Sequence, residues 1–256
     1  MKLNLKQAWE NIFNTDNWKL KVFIYTVLYA IVLFQPNEDK VNQIKTAGQS
    51  NPDILLAFLI LSFTYGILNS LASFFTQGYL ARYLHNLIIK KDSELPKWEN
   101  FKNLFVIGIK PILAILIVAI PIFLISTLIY NTVKLPFIVY DLFILLNALI
   151  FGIWLFFSGA LYLTYIQNFK MWDSLNFKKA KKYIGKEYIK YIIITSFISV
   201  ILVGITTILS TVCEILSYIL VVIIAPFLGL WITNILAQLH HIQVAKYTDT
   251  AQLTGE

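Results

Sequence analysis

The chain has 256 residues, of which 58% are hydrophobic and only 14% are charged. Soluble domains carry about 25% charged residues, so a soluble fold of this composition could not cover its surface. The formal net charge is +7, and for so apolar a chain the expected acidic partner is the lipid headgroup layer, not nucleic acid. The single cysteine, Cys213, excludes an intrachain disulfide and a cysteine-rich metal site. We predict an all-α, polytopic membrane protein.

Six apolar segments are predicted to cross the hydrocarbon core, which takes about 20 helical residues. The first, 18–34, is short, but Lys19 and Lys21 can extend to the interface. The fourth, 136–165, is long enough to tilt or to extend beyond the bilayer. The others cover 54–75 (continuing to 85), 112–130, 191–209 and 215–239. The expected fold is a six-span transmembrane helical bundle that forms one integral membrane domain over 1–256.

The distribution of basic residues predicts the orientation of these spans. Of the 21 Lys and Arg residues, 18 fall in the N-terminal segment, in the segments after the second and fourth spans, and in the C-terminal tail. The other three are Lys40, Lys45 and Lys134. Both termini are therefore predicted to be cytoplasmic, with 35–53, 131–134 and 210–214 outside. Abundant Lys, Ile and Asn suggest a bacterial source, and hence the bacterial cytoplasmic (inner) membrane.

A short pattern of tryptophan, acid and small polar residue occurs three times, each time before an odd-numbered span. The copies are Trp9-Glu10-Asn11, Trp98-Glu99-Asn100 and Trp172-Asp173-Ser174. Each opens or lies in a short amphipathic stretch, and such a helix with tryptophan at headgroup level is expected before a span. The pattern predicts three repeated units, each an interfacial helix plus a transmembrane hairpin, over 5–86, 94–168 and 171–241. Residues 242–256 are predicted to form a flexible cytoplasmic tail.

One block of the sequence is specific enough to indicate a family. It consists of Gly78-Tyr79-Leu80-Ala81-Arg82, then Leu95-Pro96-Lys97-Trp98, then Phe105-Val106-Ile107-Gly108. This block resembles an uncharacterised family of prokaryotic polytopic membrane proteins, catalogued only as a domain of unknown function. That family shows Gly-Tyr-Leu-x-Arg, Leu-Pro-x-Trp and Phe-x-x-Gly motifs, although segment 87–94 here lacks the glycine often found there. The resemblance implies a helical membrane fold and membrane location, and it implies no activity.

Residues that could carry chemistry are scarce in the predicted spans. Asp141 is the only acid well within a span; it lies near the outer end, where a carboxylate that reaches water is the favoured interpretation. His85, His240 and His241 fall at the cytoplasmic ends of even-numbered spans, but the corresponding residue of the middle unit is Gln167, a poor ligand. We therefore expect no catalytic residues, no metal site and no cofactor.

Two other features indicate contacts with lipids, partners or substrates. The densest basic cluster can bind anionic headgroups on the cytoplasmic side or can act only as a topology signal. Prolines interrupt the third and sixth spans, and broken helices line substrate sites in many transporters. The predicted lipid or partner contacts are Trp9, Trp98, Trp172, Lys178, Lys179, Lys181 and Lys182, and the candidate transport-site kinks are Pro121 and Pro226.

These features favour a non-enzymatic membrane protein, an accessory or scaffold subunit of a larger membrane assembly that binds lipids and membrane protein partners. The alternative is a transporter or lipid-handling permease with its site near the proline-containing spans. An intramembrane enzyme would need Asp, Glu, His or Ser residues clustered at one depth, and the predicted spans offer no such cluster.

Overall fold

The computed structural model describes residues 3–33, 38–50, 52–132 and 137–254. Every regular element within these ranges is helical, so the predicted all-α class is confirmed. Helical turns also occur at Asn86–Lys90, Met171–Leu175 and Lys181–Tyr183. The α-helices are α1 (Leu5–Phe13), α2 (Trp18–Leu33), α3 (Glu38–Ser50), α4 (Pro52–His85), α5 (Phe101–Thr132), α6 (Phe137–Asn168), α7 (Phe177–Ala180), α8 (Lys186–Val212) and α9 (Glu214–Thr254).

Four helical segments in the described ranges are long and apolar enough to cross a membrane. They are Pro52–Lys90, Phe101–Pro121, Lys186–Val212 and Ile215–Ala245, and they coincide with the second, third, fifth and sixth predicted spans. The first and fourth predicted spans coincide with α2 and α6. At 16 residues, α2 is shorter than the roughly 20 residues that a perpendicular crossing takes, and many side chains of α6 lie outside the described part of the chain.

The polar segment 35–53, predicted to lie outside between the first two spans, contains the 13-residue helix α3. In α3 the Thr46 hydroxyl donates to the Asn42 carbonyl at 2.9 Å, and the helix packs against α4. Pro52 is the first residue of α4, a position where its missing N–H costs nothing. A polar helix such as α3 lacks the apolar periodicity from which a helix is predicted in a sequence.

Two further predictions are corrected by the structure. Of the three predicted interfacial helices, α1 forms and is capped by the Asn4 side chain, which accepts from the Gln7 amide at 3.0 Å. Residues 91–100 form no helix, because the chain there supplies carbonyl groups to side chains of α2 and α4, and α5 itself begins at Phe101. The boundary predicted at 242 falls inside α9, which continues to Thr254 and in which Ile242 and Gln243 are buried.

Burial divides the molecule into two zones. The contiguous hydrophobic core lies within 8–25, 79–107, 160–191 and 230–239, which we call the packed base. In contrast, residues 52–71 of α4 and 192–212 of α8 contain no buried side chain. The same holds for 115–121 of α5 and for the described side chains of 145–158 of α6. We call these four segments the apolar arms. Twenty helical residues extend about 30 Å, the thickness of a hydrocarbon core.

Candidate functional site

Two glycines of the sequence motifs bring α4 and α5 into direct backbone contact. A β-carbon on Gly108 would overlap the carbonyl oxygen of Phe74 and lie 2.8 Å from the backbone nitrogen of Gly78. A β-carbon on Gly78 would likewise overlap the carbonyl oxygen of Leu104. Small residues allow helix backbones to approach closely in apolar surroundings. Gly78 and Gly108 therefore fix the crossing point of the two helices.

The other motif residues form a corner next to this crossing. The rings of Tyr79 and Trp98 are stacked, with centroids 4.1 Å apart and planes inclined by 5°. The Tyr79 hydroxyl donates to the Pro96 carbonyl at 3.1 Å, and Trp98 Nε1 donates to the Lys21 carbonyl at 2.9 Å. Lys21 Nζ donates to the Leu95 carbonyl at 2.7 Å, so its ammonium group is held inside the corner. These motif residues join α2, α4 and the segment before α5.

The ends of α4, α6 and α9 meet at one junction through side chains that the sequence placed at equivalent positions. The helix α4 contacts α6, α6 contacts α9, and α9 contacts the turn Asn86–Lys90 that follows α4; we call this ring of three contacts the closed exchange. Two of the acceptors are carbonyl oxygens, which means that the histidine nitrogens facing them carry hydrogen. The contacts join His85 Nδ1 to the Ile166 carbonyl at 2.8 Å, Gln167 Nε2 to His240 Nε2 at 3.2 Å, and His241 Nε2 to the Leu87 carbonyl at 3.1 Å.

The histidines of this junction connect helices. Within the described ranges, no group of three or more His, Cys, Asp or Glu side chains is placed to hold a metal ion. A structural metal site takes three or four such ligands, whereas His85 here contacts a backbone carbonyl and His240 contacts the amide of Gln167. The expectation that the protein binds no metal or cofactor stays a prediction.

The lysine-rich segment is anchored to α6 by a buried aspartate. Asp173 is only 6% exposed, and its carboxylate accepts a hydrogen bond from Lys179 Nζ at 2.8 Å. The pKa of Asp173 lies below its ordinary value, mainly because of this hydrogen bond. The backbone carbonyl of Asp173 also accepts from the Thr164 hydroxyl of α6. The acid of the third tryptophan pattern therefore positions the segment that carries the four candidate lysines.

The three tryptophans of the repeated pattern have different surroundings. Trp9 lies on α1 with its ring 6.2 Å from that of Phe227 on α9, and it is 42% exposed. Trp98 is stacked in the motif corner. Trp172 lies in the helical turn Met171–Leu175 and is 56% exposed. Trp9 and Trp172 remain candidates for lipid or partner contact, whereas Trp98 is engaged within the fold.

Neither candidate proline ends its helix. The helix α5 continues through Pro121, and α9 continues through Pro226. Pro121 is exposed, while Pro226 is buried. Asp141 lies within α6, but its side chain falls outside the part of the chain that the structure describes. A transport site at these positions stays a prediction.

A buried polar link between α1, α4 and α9 was missed by the sequence reasoning. Asn234 is 2% exposed; its side-chain nitrogen donates to the Tyr83 hydroxyl at 2.8 Å, and its oxygen accepts from Asn11 Nδ2 at 3.2 Å. The available signal was an asparagine within an apolar span, because a polar group there needs a partner. Asn11 is the polar residue of the first tryptophan pattern, so here that pattern supports the fold.

Comparison with known proteins supplies a family and no activity. The family described as "Protein of unknown function (DUF4013)" matches residues 58–214. No curated protein and no solved structure matches the chain. The matched range contains the glycine crossing, Trp98 and the lysine-rich segment, and it ends at the first residue of α9.

Proposed function

We propose that this chain, which belongs to the DUF4013 family of proteins of unknown function, is a non-enzymatic integral membrane protein that serves as an accessory or scaffold subunit. Its apolar arms cross the bilayer and bind helices of partner proteins, while the packed base holds the arms together. The proposal rests on an uncovered helix surface at membrane level.

That surface is a row of small residues on α4. Ser62, Gly66 and Ser70 recur at intervals of four residues, lie on one face of the helix, and are exposed. A β-carbon on Gly66 would meet no atom of the described side chains within 4 Å, in contrast to one on the tightly packed Gly78 of the same helix. Because lipid tails are as apolar as leucine, membrane helices associate through such small residues, which let backbones approach closely. We call this row the small-residue face.

The proposal is tested by blocking the small-residue face and measuring whether a partner protein is lost. We expect Gly66→Leu to remove a stoichiometric partner that copurifies with the native full-length protein, because the added side chain prevents close helix approach. The protein itself should remain monodisperse, since leucine improves helix propensity and has free space. The control is Gly204→Leu on α8, where Val200 and Ile208 replace the small neighbours. Unchanged partner recovery with Gly66→Leu, or equal loss with the control, would contradict the proposal.

The proposed topology has six spans, with both termini and the packed base on the cytoplasmic side of a bacterial membrane. It is supported by the basic residues, which concentrate in the base, and by the length of the arms. The closed exchange between the ends of α4, α6 and α9 supports the threefold repeat, because three equivalent hairpins would bring their ends together in this way.

Cys213 reports this topology directly. It is an exposed free cysteine between α8 and α9, and in the proposed topology it faces the outside. A membrane-impermeant maleimide added to intact cells should label it, whereas Cys213→Ser should abolish all labelling. Labelling only after the membrane is permeabilised would place this turn on the cytoplasmic side and reverse the proposed orientation.

A further inference from the structure

The arm of α6 presents an open apolar groove. The groove is wide open, with a volume of about 450 Å³, and its described lining comes from one face of α6. Its lining is formed by Leu145, Leu149, Gly152, Ile153, Phe156 and Phe157. A β-carbon on Gly152 would meet no atom of the described side chains within 4 Å, so this glycine adds no bulk to the groove that it lines.

One end of the groove adjoins the lysine-rich segment. The rings of Phe157 and Phe177 meet edge to face with their centroids 5.3 Å apart, and Phe177 is the first residue of α7. Lys178 follows directly, and Lys181 lies three residues further along, on the same side of a helical segment. Both lysines are exposed. The apolar groove therefore ends where a basic surface begins.

The segment keeps a strong positive charge after its internal ion pairs are counted. Residues 170–190 contain seven lysines and two acids. Each acid pairs with one lysine, so the segment keeps a net charge of +5, and Lys178 and Lys181 are among the five lysines outside these pairs. These pairs are Asp173 with Lys179 at 2.8 Å and Glu187 with Lys190 at 2.9 Å.

We propose that the groove and the adjoining lysines form a binding site for one anionic glycerophospholipid. One acyl chain lies along the α6 groove, and the phosphate binds Lys178 and Lys181. Lysines near a membrane surface attract anionic headgroups, and a nearby exposed tryptophan such as Trp172 is typical of the headgroup level. The site lies on α6 and α7 and the small-residue face lies on α4, so the two proposals can be tested independently of each other.

The headgroup half of the proposal is tested by removing charge. The full-length protein, purified and depleted of lipid, is titrated with phosphatidylglycerol and with phosphatidylcholine of the same acyl chains, and bound lipid is counted by native mass spectrometry. We expect Lys178→Gln/Lys181→Gln to bind phosphatidylglycerol about 30-fold more weakly, which corresponds to about 1 kcal/mol for each lysine. The control, Lys97→Gln/Lys102→Gln, removes the same charge from another exposed basic segment and should bind as the unaltered protein does.

The acyl-chain half is tested by filling the groove. We expect Gly152→Phe to reduce phosphatidylglycerol binding at least about tenfold, while Gly204→Phe, at an equally uncovered glycine of α8, leaves it unchanged. If the Gly152→Phe protein is not monodisperse, phosphatidylglycerol binding is measured with Leu149→Trp instead, which fills the same groove. Equal affinity for the two lipids, equal losses in the two lysine pairs, or full binding by the filled grooves would overturn the proposal.

Discussion

Substituting Gly108 with alanine is expected to destabilise the protein by about 3 kcal/mol, the upper part of the range for overpacking a tight interior. The added β-carbon has no place to go, because it would overlap the Phe74 carbonyl of α4. The two helices must then separate along the contact that holds them, and the adjacent corner around Trp98 loses its support. Thermal unfolding of the purified protein, followed by loss of the monodisperse peak, measures the effect.

The matched control for this substitution is Gly66→Ala. Both glycines lie within long helices, but a β-carbon at Gly66 meets nothing within 4 Å. Alanine there should leave stability unchanged or raise it by up to about 1 kcal/mol through helix propensity. If Gly108→Ala unfolded at the same temperature as Gly66→Ala, the crossing of α4 and α5 would not be as close as the structure has it.

Removing the side chain of Trp98 is the second large effect that we expect. Trp98→Ala should cost about 3–5 kcal/mol, the range for truncating a packed tryptophan. The substitution removes the ring stacked on Tyr79 and the hydrogen bond from Nε1 to the Lys21 carbonyl. Trp98→Phe keeps a ring in the stack and should recover all but about 1 kcal/mol, the usual net value of one hydrogen bond.

Trp172→Ala is the comparison that separates the two kinds of tryptophan. Trp172 is 56% exposed, and substitutions at such a position change stability by less than about 0.5 kcal/mol. Denaturation of the three variants side by side in one detergent gives the order of stability. Equal losses for Trp98→Ala and Trp172→Ala would mean that the tryptophan patterns perform the same task, contrary to the surroundings seen here.

The all-helical class of the protein and the positions of its long apolar helices could be predicted from the sequence. Segment 54–85 was predicted as one helix, and α4 covers Pro52–His85. Such predictions succeed because the properties that they use are local. Hydrophobic length, lysine distribution and the position of Pro52 are all read along the chain, and each acts on helix formation where it occurs.

The tertiary structure alone decided what the motif residues do. The sequence singled out Gly78, Trp98 and Gly108, but it could not show that the glycines touch backbone on each other's helices. That contact depends on where α4 crosses α5, which is set by packing between residues about 30 positions apart in the chain. From the sequence, Trp9, Trp98 and Trp172 were all predicted to lie at the membrane interface. Only the packing shows that the Trp98 ring is stacked within the fold while the other two are exposed.

The two zones of the fold also follow from packing and not from composition. The helix α8 is apolar enough to cross a membrane, yet its Tyr188 and Tyr191 are buried in the base while 192–212 contains no buried side chain. Apolar character suits a residue equally to a protein core and to a lipid tail, so hydropathy does not distinguish the two. Burial does distinguish the two environments, because a side chain is buried only where residues of other helices pack against it. For that reason the long apolar helices could be predicted from the sequence, whereas the packed base, the groove of α6 and the junction of the helix ends required the structure.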